Sequence, residues 1–185
     1  MFPKSTKSTD PGFSESISSR EITDACIFVI DDEPIVSDVI SFFLDECGFS
    51  NVHCFNDSIE AIETLQYVKA ELVITDVSMP GLAGNYLTKL AKKMEHLREV
   101  PILVVTSDTS SNTESKCLAS GAMKVLPKPV DRQQLVMGVV EALDQIVERS
   151  EIDTRYAKKM ESLREEEEQR IRDQEIGLRN ACRAK

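Results

Sequence analysis

Short apolar runs that alternate with stretches of helical periodicity limit this chain's fold more than any other feature. Cys26-Ile27-Phe28-Val29-Ile30 and Pro101-Ile102-Leu103-Val104-Val105 are continuously apolar, as is Leu72-Val73-Ile74 before Thr75. Runs of that length without a polar face are the mark of strands covered on both sides. Asn51 to Phe55 and Met123 to Leu126 read as two further, weaker strands. Between them lie segments in which apolar residues recur every three or four positions. Pro34 suits a first helical turn, and Ile35, Val36, Val39, Ile40, Phe43 and Leu44 follow at helical spacing until Gly48. Asp57-Ser58-Ile59-Glu60 opens a second helix with Ile59, Ile62, Leu65 and Val68 facing inward. Further helices are predicted from about Asn85 to Glu95, from Ser111 to Ser120 before Gly121, and after an Asp131 cap. The last carries Leu135, Val136, Val139, Val140, Leu143, Ile146 and Val147, and the strand–helix alternation is expected to end near Arg149. Five strands alternating with five helices predict an α/β fold with a parallel sheet and right-handed crossovers.

Polar residues stand where such a fold does its chemistry. Asp31-Asp32-Glu33-Pro34 follows the first run and Asp76 ends the third, just before Met79-Pro80-Gly81. Thr106-Ser107 ends the fourth, and Lys128-Pro129 follows the fifth. In an open parallel sheet all of these gather at the carboxyl ends of the strands. Carboxylates, a hydroxyl and a lysine meeting there suit a divalent cation and a phosphoryl group. Magnesium prefers oxygen ligands and keeps several waters, so a few carboxylates serve it well. Carboxylates crowded together repel one another, and a cation or Lys128 relieves that repulsion. A carboxylate in such a cluster can serve as an oxygen nucleophile.

The 185 residues suffice for one full core plus an extension. With 22 Lys+Arg against 32 Asp+Glu, the net charge of -10 argues against broad contact with nucleic acid or an anionic membrane. Met1 to about Ser19 is polar and lacks the apolar core of a secretory signal. No run approaches the roughly 18 apolar residues of a membrane-spanning helix, and a cytosolic protein is expected. Cys26, Cys47, Cys54, Cys117 and Cys182 have no paired spacing, and four of them sit in apolar segments that favour a buried thiol.

In the order and separation of these motifs, residues 24 to 148 resemble the receiver domain of two-component response regulators. The resemblance implies a flavodoxin-like fold with strand order 2-1-3-4-5. It implies that Asp76 is the phosphoacceptor and that Asp31, Asp32 and Asp76, with the backbone carbonyl of Ser78, hold Mg2+. Thr106 corresponds to the hydroxyl that shifts onto the phosphoryl group, Ser107 to the small residue beside it, and Lys128 to the family lysine, often followed by a cis proline. The implied donor is a phosphohistidine on a sensor histidine kinase or phosphotransfer protein. Such a protein is a phosphoacceptor in signalling and not an enzyme beyond its own phosphorylation and dephosphorylation. One position departs from the family. Three residues before Lys128, where Tyr or Phe usually moves inward as a switch, this chain has Val125, a stiff β-branched residue that carries no ring.

Alone, each motif has a plainer reading: Asp31 to Pro34 as a helix start, Asp76 as a turn residue, Thr106 as a strand end and Lys128 as a solvated charge. Together, in order, they favour the phosphoacceptor. His53 and His96 are isolated and read as ordinary, partly exposed residues. The division expected is a polar leader over residues 1–22, a receiver over 23–149 and a charged helical tail over 150–185. In the tail, Glu166 with Arg170 and Glu168 with Arg172 stand four apart in the favourable order. The tail is expected to be a continuous or broken helix projecting from the domain; its apolar residues hold no clean heptad, which leaves open a solvated arm or a homodimer through the C-terminal helix. Output then comes from protein contacts. Three rivals are a receiver-fold scaffold without regulated phosphorylation, the front part of a longer regulator, and, more distantly, a metal-dependent phosphatase. The phosphatase usually carries a second acid near its nucleophile, whereas Val77-Ser78 follow Asp76.

Overall fold

The computed structural model describes residues 22–183. The polar leader expected over residues 1–22 lies outside them except for Ile22, and the side chain of Cys182 is likewise not described. Contacts divide the chain into two units, the first ending at Val140 and the second beginning at Glu141.

In the first unit the strands are β1 (Ile27–Ile30), β2 (Val52–Phe55), β3 (Leu72–Asp76), β4 (Ile102–Thr106) and β5 (Lys124–Pro127). The helices are α1 (Pro34–Asp45), α2 (Ser58–Leu65), α3 (Gly84–Ala91) and α4 (Ser111–Ala119), followed by α5 (Arg132–Arg183), which runs on past the unit boundary. All five strands are parallel in the order β2-β1-β3-β4-β5, the predicted topology. Every residue of β1, β3 and β4 is buried, as continuous apolar runs require. β2 forms the edge and leaves His53 and Cys54 exposed. Pleating sends Phe28 and Ile30 to one face, where they join Val73 and Ile102 beneath Ala61, Ile62 and Leu65 of α2 and Leu87 and Ala91 of α3. The first turns of α5 lie over β4 and β5, with Gly138 near Leu103 and Leu126.

Several helix details depart from the predicted ones. Ile35 is 77% exposed and Val39 also faces outward, so α1 buries Ser37, Ile40 and Leu44. Ser37 is tolerated inside because its hydroxyl donates to the Asp31 carbonyl and accepts from the Asn56 amide. In α2, Ile59 points outward while Ser58, Ala61, Ile62 and Leu65 are buried, and Val68 lies exposed three residues beyond the end of the helix. The helix opens where predicted, and Asp57 caps it by accepting from the amides of Ile59 and Glu60. α3 stops at Ala91, four residues before the predicted end. Lys92 there turns its ammonium onto the carbonyls of Arg98 and Val100, and a short 3-10 turn, Glu95–Leu97, follows. Of the cysteines expected to be buried, only Cys117 is; Cys26 and Cys47 are half-buried and Cys54 is exposed on the edge strand.

In the second unit α5 continues through the change of composition near Arg149 to Arg183, so the expected helical tail is the continuous form. No Gly or Pro occurs between Gly138 and Gly177, and Arg172 lies 3.6 Å from Glu168 across one turn. No described helix is long and apolar enough to cross a membrane.

Candidate functional site

The predicted phosphoacceptor, metal and phosphoryl-binding residues fall at the carboxyl end of the sheet or in the loops leaving it, and Val125 lies within β5. Asp31 and Asp32 follow β1, Asp76 closes β3, Thr106 closes β4, and Lys128 follows β5 directly and is joined to Pro129 by a cis bond. Carboxylate oxygens of Asp31, Asp32 and Asp76 lie within 4.8 Å of one another, the one such acidic group among the described residues. Asp31 and Asp76 are buried and Asp32 keeps contact with solvent.

Backbone pairing and small polar side chains fix the Asp31 loop. The Asp31 amide donates to the Phe55 carbonyl at 3.0 Å. Its own carbonyl accepts from Asn56 Nδ2 at 2.8 Å and from the Ser37 hydroxyl at 3.3 Å. The Asp31 carboxylate accepts through Oδ1 from the Glu33 amide at 3.0 Å. Oδ2 pairs with Lys128 Nζ at 2.8 Å and has no other partner. A buried carboxylate oxygen with an open lone pair, in a set of three acids, is the donor a hard divalent cation requires.

Lys128 ties the site together. Its ammonium lies 2.8 Å from Asp31, 3.6 Å from Asp76 and 3.4 Å from Glu33. Burial works against its charge, but the bond to Asp31 and the charges of Asp31 and Asp76 outweigh it and raise its pKa above the ordinary lysine value. For Asp31 the balance goes the other way. Burial lifts its carboxyl above the usual range despite Lys128, and the charge of Asp76 adds to that rise.

Asp76 is held from its own loop: Oδ2 accepts from the Ser78 amide at 3.1 Å. Behind it, the Gly84 amide donates to the Val77 carbonyl at 3.0 Å and brings the start of α3 against the Asp76 backbone. Ser58 closes the same loop by donating to the Pro80 carbonyl and accepting from the Leu82 amide. Thr106 is buried, its hydroxyl accepts from the Asp108 amide at 3.1 Å, and its carbonyl accepts from the Lys128 amide at 2.8 Å. Ser107 is exposed. Asp108 turns away to the start of α4, accepting from Thr113 at 2.6 Å and from the Ser110 amide at 3.0 Å. Val125 is half-buried beside Val104, Cys117 and Ala122. His53 and His96 stand outside the site, His96 against the Leu65 carbonyl.

Sequence reasoning missed two supporting residues. Asn56 bridges the Asp31 carbonyl and the Ser37 hydroxyl, and Gly84 permits the approach of α3 to Asp76. A lone Asn after an edge strand and a Gly in a loop carry no periodic signal. Both are visible only once the loops are in place.

A family model described as the response regulator receiver domain matches residues 27–140. Two-component response regulator ARR16 of Arabidopsis thaliana is 41% identical over 75 residues, covering 40% of this chain and 45% of the relative. The transcriptional regulatory protein FixJ of Bradyrhizobium diazoefficiens is 32% identical over 119 residues, covering 64% of this chain and 57% of the relative. The matched part thus spans about half the length of these curated relatives. Among solved structures, the receiver domain of sensor histidine kinase PA1611 from Pseudomonas aeruginosa, with a magnesium ion in its active-site cleft, is 25% identical with a TM-score of 0.60; the match covers 65% of this chain and 98% of that one. The chemotaxis response regulator CheY4 of Vibrio cholerae is 27% identical with a TM-score of 0.61, over 64% of this chain and 98% of that one. The acids at the ends of β1 and β3, the lysine after β5 and the 2-1-3-4-5 sheet thus carry a family identity as well as a geometry, and the chain belongs to the response regulator receiver domains of two-component signalling.

Proposed function

We propose that this receiver accepts a phosphoryl group on Asp76 in a Mg2+-dependent reaction, from a phosphohistidine of a sensor kinase or phosphotransfer protein, and signals through altered protein contacts in the cytoplasm. The observation that carries this reading is the clustering of Asp31, Asp32 and Asp76, with Lys128 paired to Asp31 at 2.8 Å and 3.6 Å from Asp76. Asp31, Asp32 and Asp76 with the Ser78 carbonyl would hold the ion, which when bound supplies neutralisation of charge on the phosphoryl oxygens. An Asp76 carboxylate oxygen bonds to phosphorus as the phosphorus–nitrogen bond of the donor breaks, and the electron pair returns to the imidazole nitrogen. Lys128, 3.6 Å from Asp76, balances the negative charge the transferred group brings. The Thr106 hydroxyl, buried at the end of β4, would turn to the phosphoryl oxygens, and exposed Ser107 leaves room beside them.

The receiver is taken as residues 23–149 and the charged helical tail as 150–185. Val125, packed against Val104, Cys117 and Ala122, carries no ring to move, so output runs through the α4 loop or the C-terminal helix. Calorimetric titration with beryllofluoride, a phosphoryl mimic, tests the reading. Binding is expected in the presence of magnesium, and its loss in an Asp76→Asn variant. Binding that persists without Asp76 or without magnesium would overturn the assignment.

A further inference from the structure

In the second unit, Ile152, Tyr156, Met160 and Leu163 are 50%, 69%, 64% and 44% exposed. Their spacings of four, four and three residues hold them within about 80° of one face of a helix with 3.6 residues per turn. Four large apolar side chains in one exposed stripe are costly to leave in water.

Charge on the same stretch is segregated. Residues 155–159 carry Arg155, Lys158 and Lys159 and no acid, while residues 165–168 are four glutamates and no base. The centres of the two blocks lie about 14 Å apart along the helix axis, beyond a physiological screening length of about 8 Å. A second helix laid parallel and in register sets basic block beside basic block and acidic beside acidic. Reversing the second helix about a point between Glu161 and Ser162 sets each block against its opposite. The same reversal brings Met160 against Leu163, and Leu163 against Met160, in the middle of the stripe. Arg155, Lys159 and Glu166, all exposed, flank the stripe on the same side, about 60 to 100° from its centre. In an antiparallel pair like flanks face one another, so Glu166 of one copy comes beside Arg155 and Lys159 of the other, twice by symmetry.

We propose that the occupant of this face is a second copy of the same chain, bound antiparallel over residues 152–168, so that the tail is a homodimerisation element whose orientation its charge blocks specify. This does not rest on phosphorylation of Asp76, and its test uses no phosphoryl group.

Sedimentation equilibrium of the full chain at low salt tests it. The wild type is expected to be a reversible dimer, and Tyr156→Glu with Met160→Glu a monomer whose thermal unfolding of the receiver is unchanged. Reversing charge by Arg155→Glu with Lys159→Glu is expected to weaken the dimer about tenfold, and adding Glu166→Lys to recover most of that loss. A wild type that stays monomeric to its solubility limit overturns the proposal. So does a charge-reversed chain that dimerises as tightly as the wild type or more tightly, the result a parallel pair would give.

Discussion

Gly84 is the residue through which the backbone, with no side chain of its own, sets the position of Asp76. A Cβ built on Gly84 meets the Asp76 carbonyl oxygen far inside van der Waals contact and lies 2.8 Å from its carbonyl carbon and 3.2 Å from Val77 Cα. All three obstacles are main chain in β3 and its loop, so no side chain can swing aside. Gly84→Ala therefore requires the start of α3 or the Asp76 peptide to move by about 1 Å or more. Overpacking a fitted interior costs about 1–3 kcal/mol, and an obstacle made only of backbone belongs at the upper end. Alanine returns at most about 1 kcal/mol of helix propensity. The net expectation is about 2 kcal/mol of destabilisation, or a fall in Tm of about 4–8 °C for a domain of this size. Gly138→Ala is the control. Its Cβ would lie 3.5 Å from a methyl of Leu103 and 3.9 Å from Leu126, ordinary contacts, so the same substitution there is neutral or stabilising by up to about 1 kcal/mol. Urea and thermal unfolding of both variants decide the matter. A Gly84→Ala variant as stable as the wild type would refute the reasoning that packing at Asp76 excludes a side chain.

Three further outcomes are expected. Asn56→Ala removes bonds of 2.8 Å to the Asp31 carbonyl and 3.1 Å to the Ser37 hydroxyl, and urea unfolding should show a loss of about 1–3 kcal/mol. Magnesium should raise the melting temperature of the wild type, by the equivalent of about 2.7 kcal/mol at one hundred times its Kd, and should do so far less for Asp31→Asn. The Thr113 hydroxyl, and after it the Ser110 amide, hold the Asp108 carboxyl below its ordinary range. Because that pKa is depressed in the fold, the stabilisation is present above the unfolded value of about 3.9 and is lost as pH falls through the folded one. Melting curves of Asp108→Ala should accordingly lie below the wild type at neutral pH and converge with it in acid.

The parts of this fold legible in the sequence are those set by long-range burial. β1, β3 and β4 lie between two layers of helix, so nearly every position is apolar and the run itself marks the strand. The site acids and Lys128 were legible for a related reason, because strand ends are sharp and a charge directly after an apolar run stands out. Helix faces were harder. α1 offers apolar residues on more than half its circumference, so periodicity does not separate buried Ile40 and Leu44 from exposed Ile35 and Val39. Ser37 and Ser58 are buried because a carbonyl or amide waits for each hydroxyl, and that depends on loops from elsewhere in the chain. The helical tail was legible from its composition and its i,i+4 charge pairs, but apolar periodicity ends near Arg149, so whether the helix ran on unbroken through residues that bury little was not.

The most direct test of the central claim is the intact mass of the full chain after incubation with a phosphorylated phosphotransfer protein and magnesium. One added phosphoryl group is predicted, located to Asp76 by peptide mapping and absent from Asp76→Asn and from magnesium-free samples. A chain that stays unmodified while a known receiver in the same mixture is phosphorylated, or one modified at another residue, would contradict it.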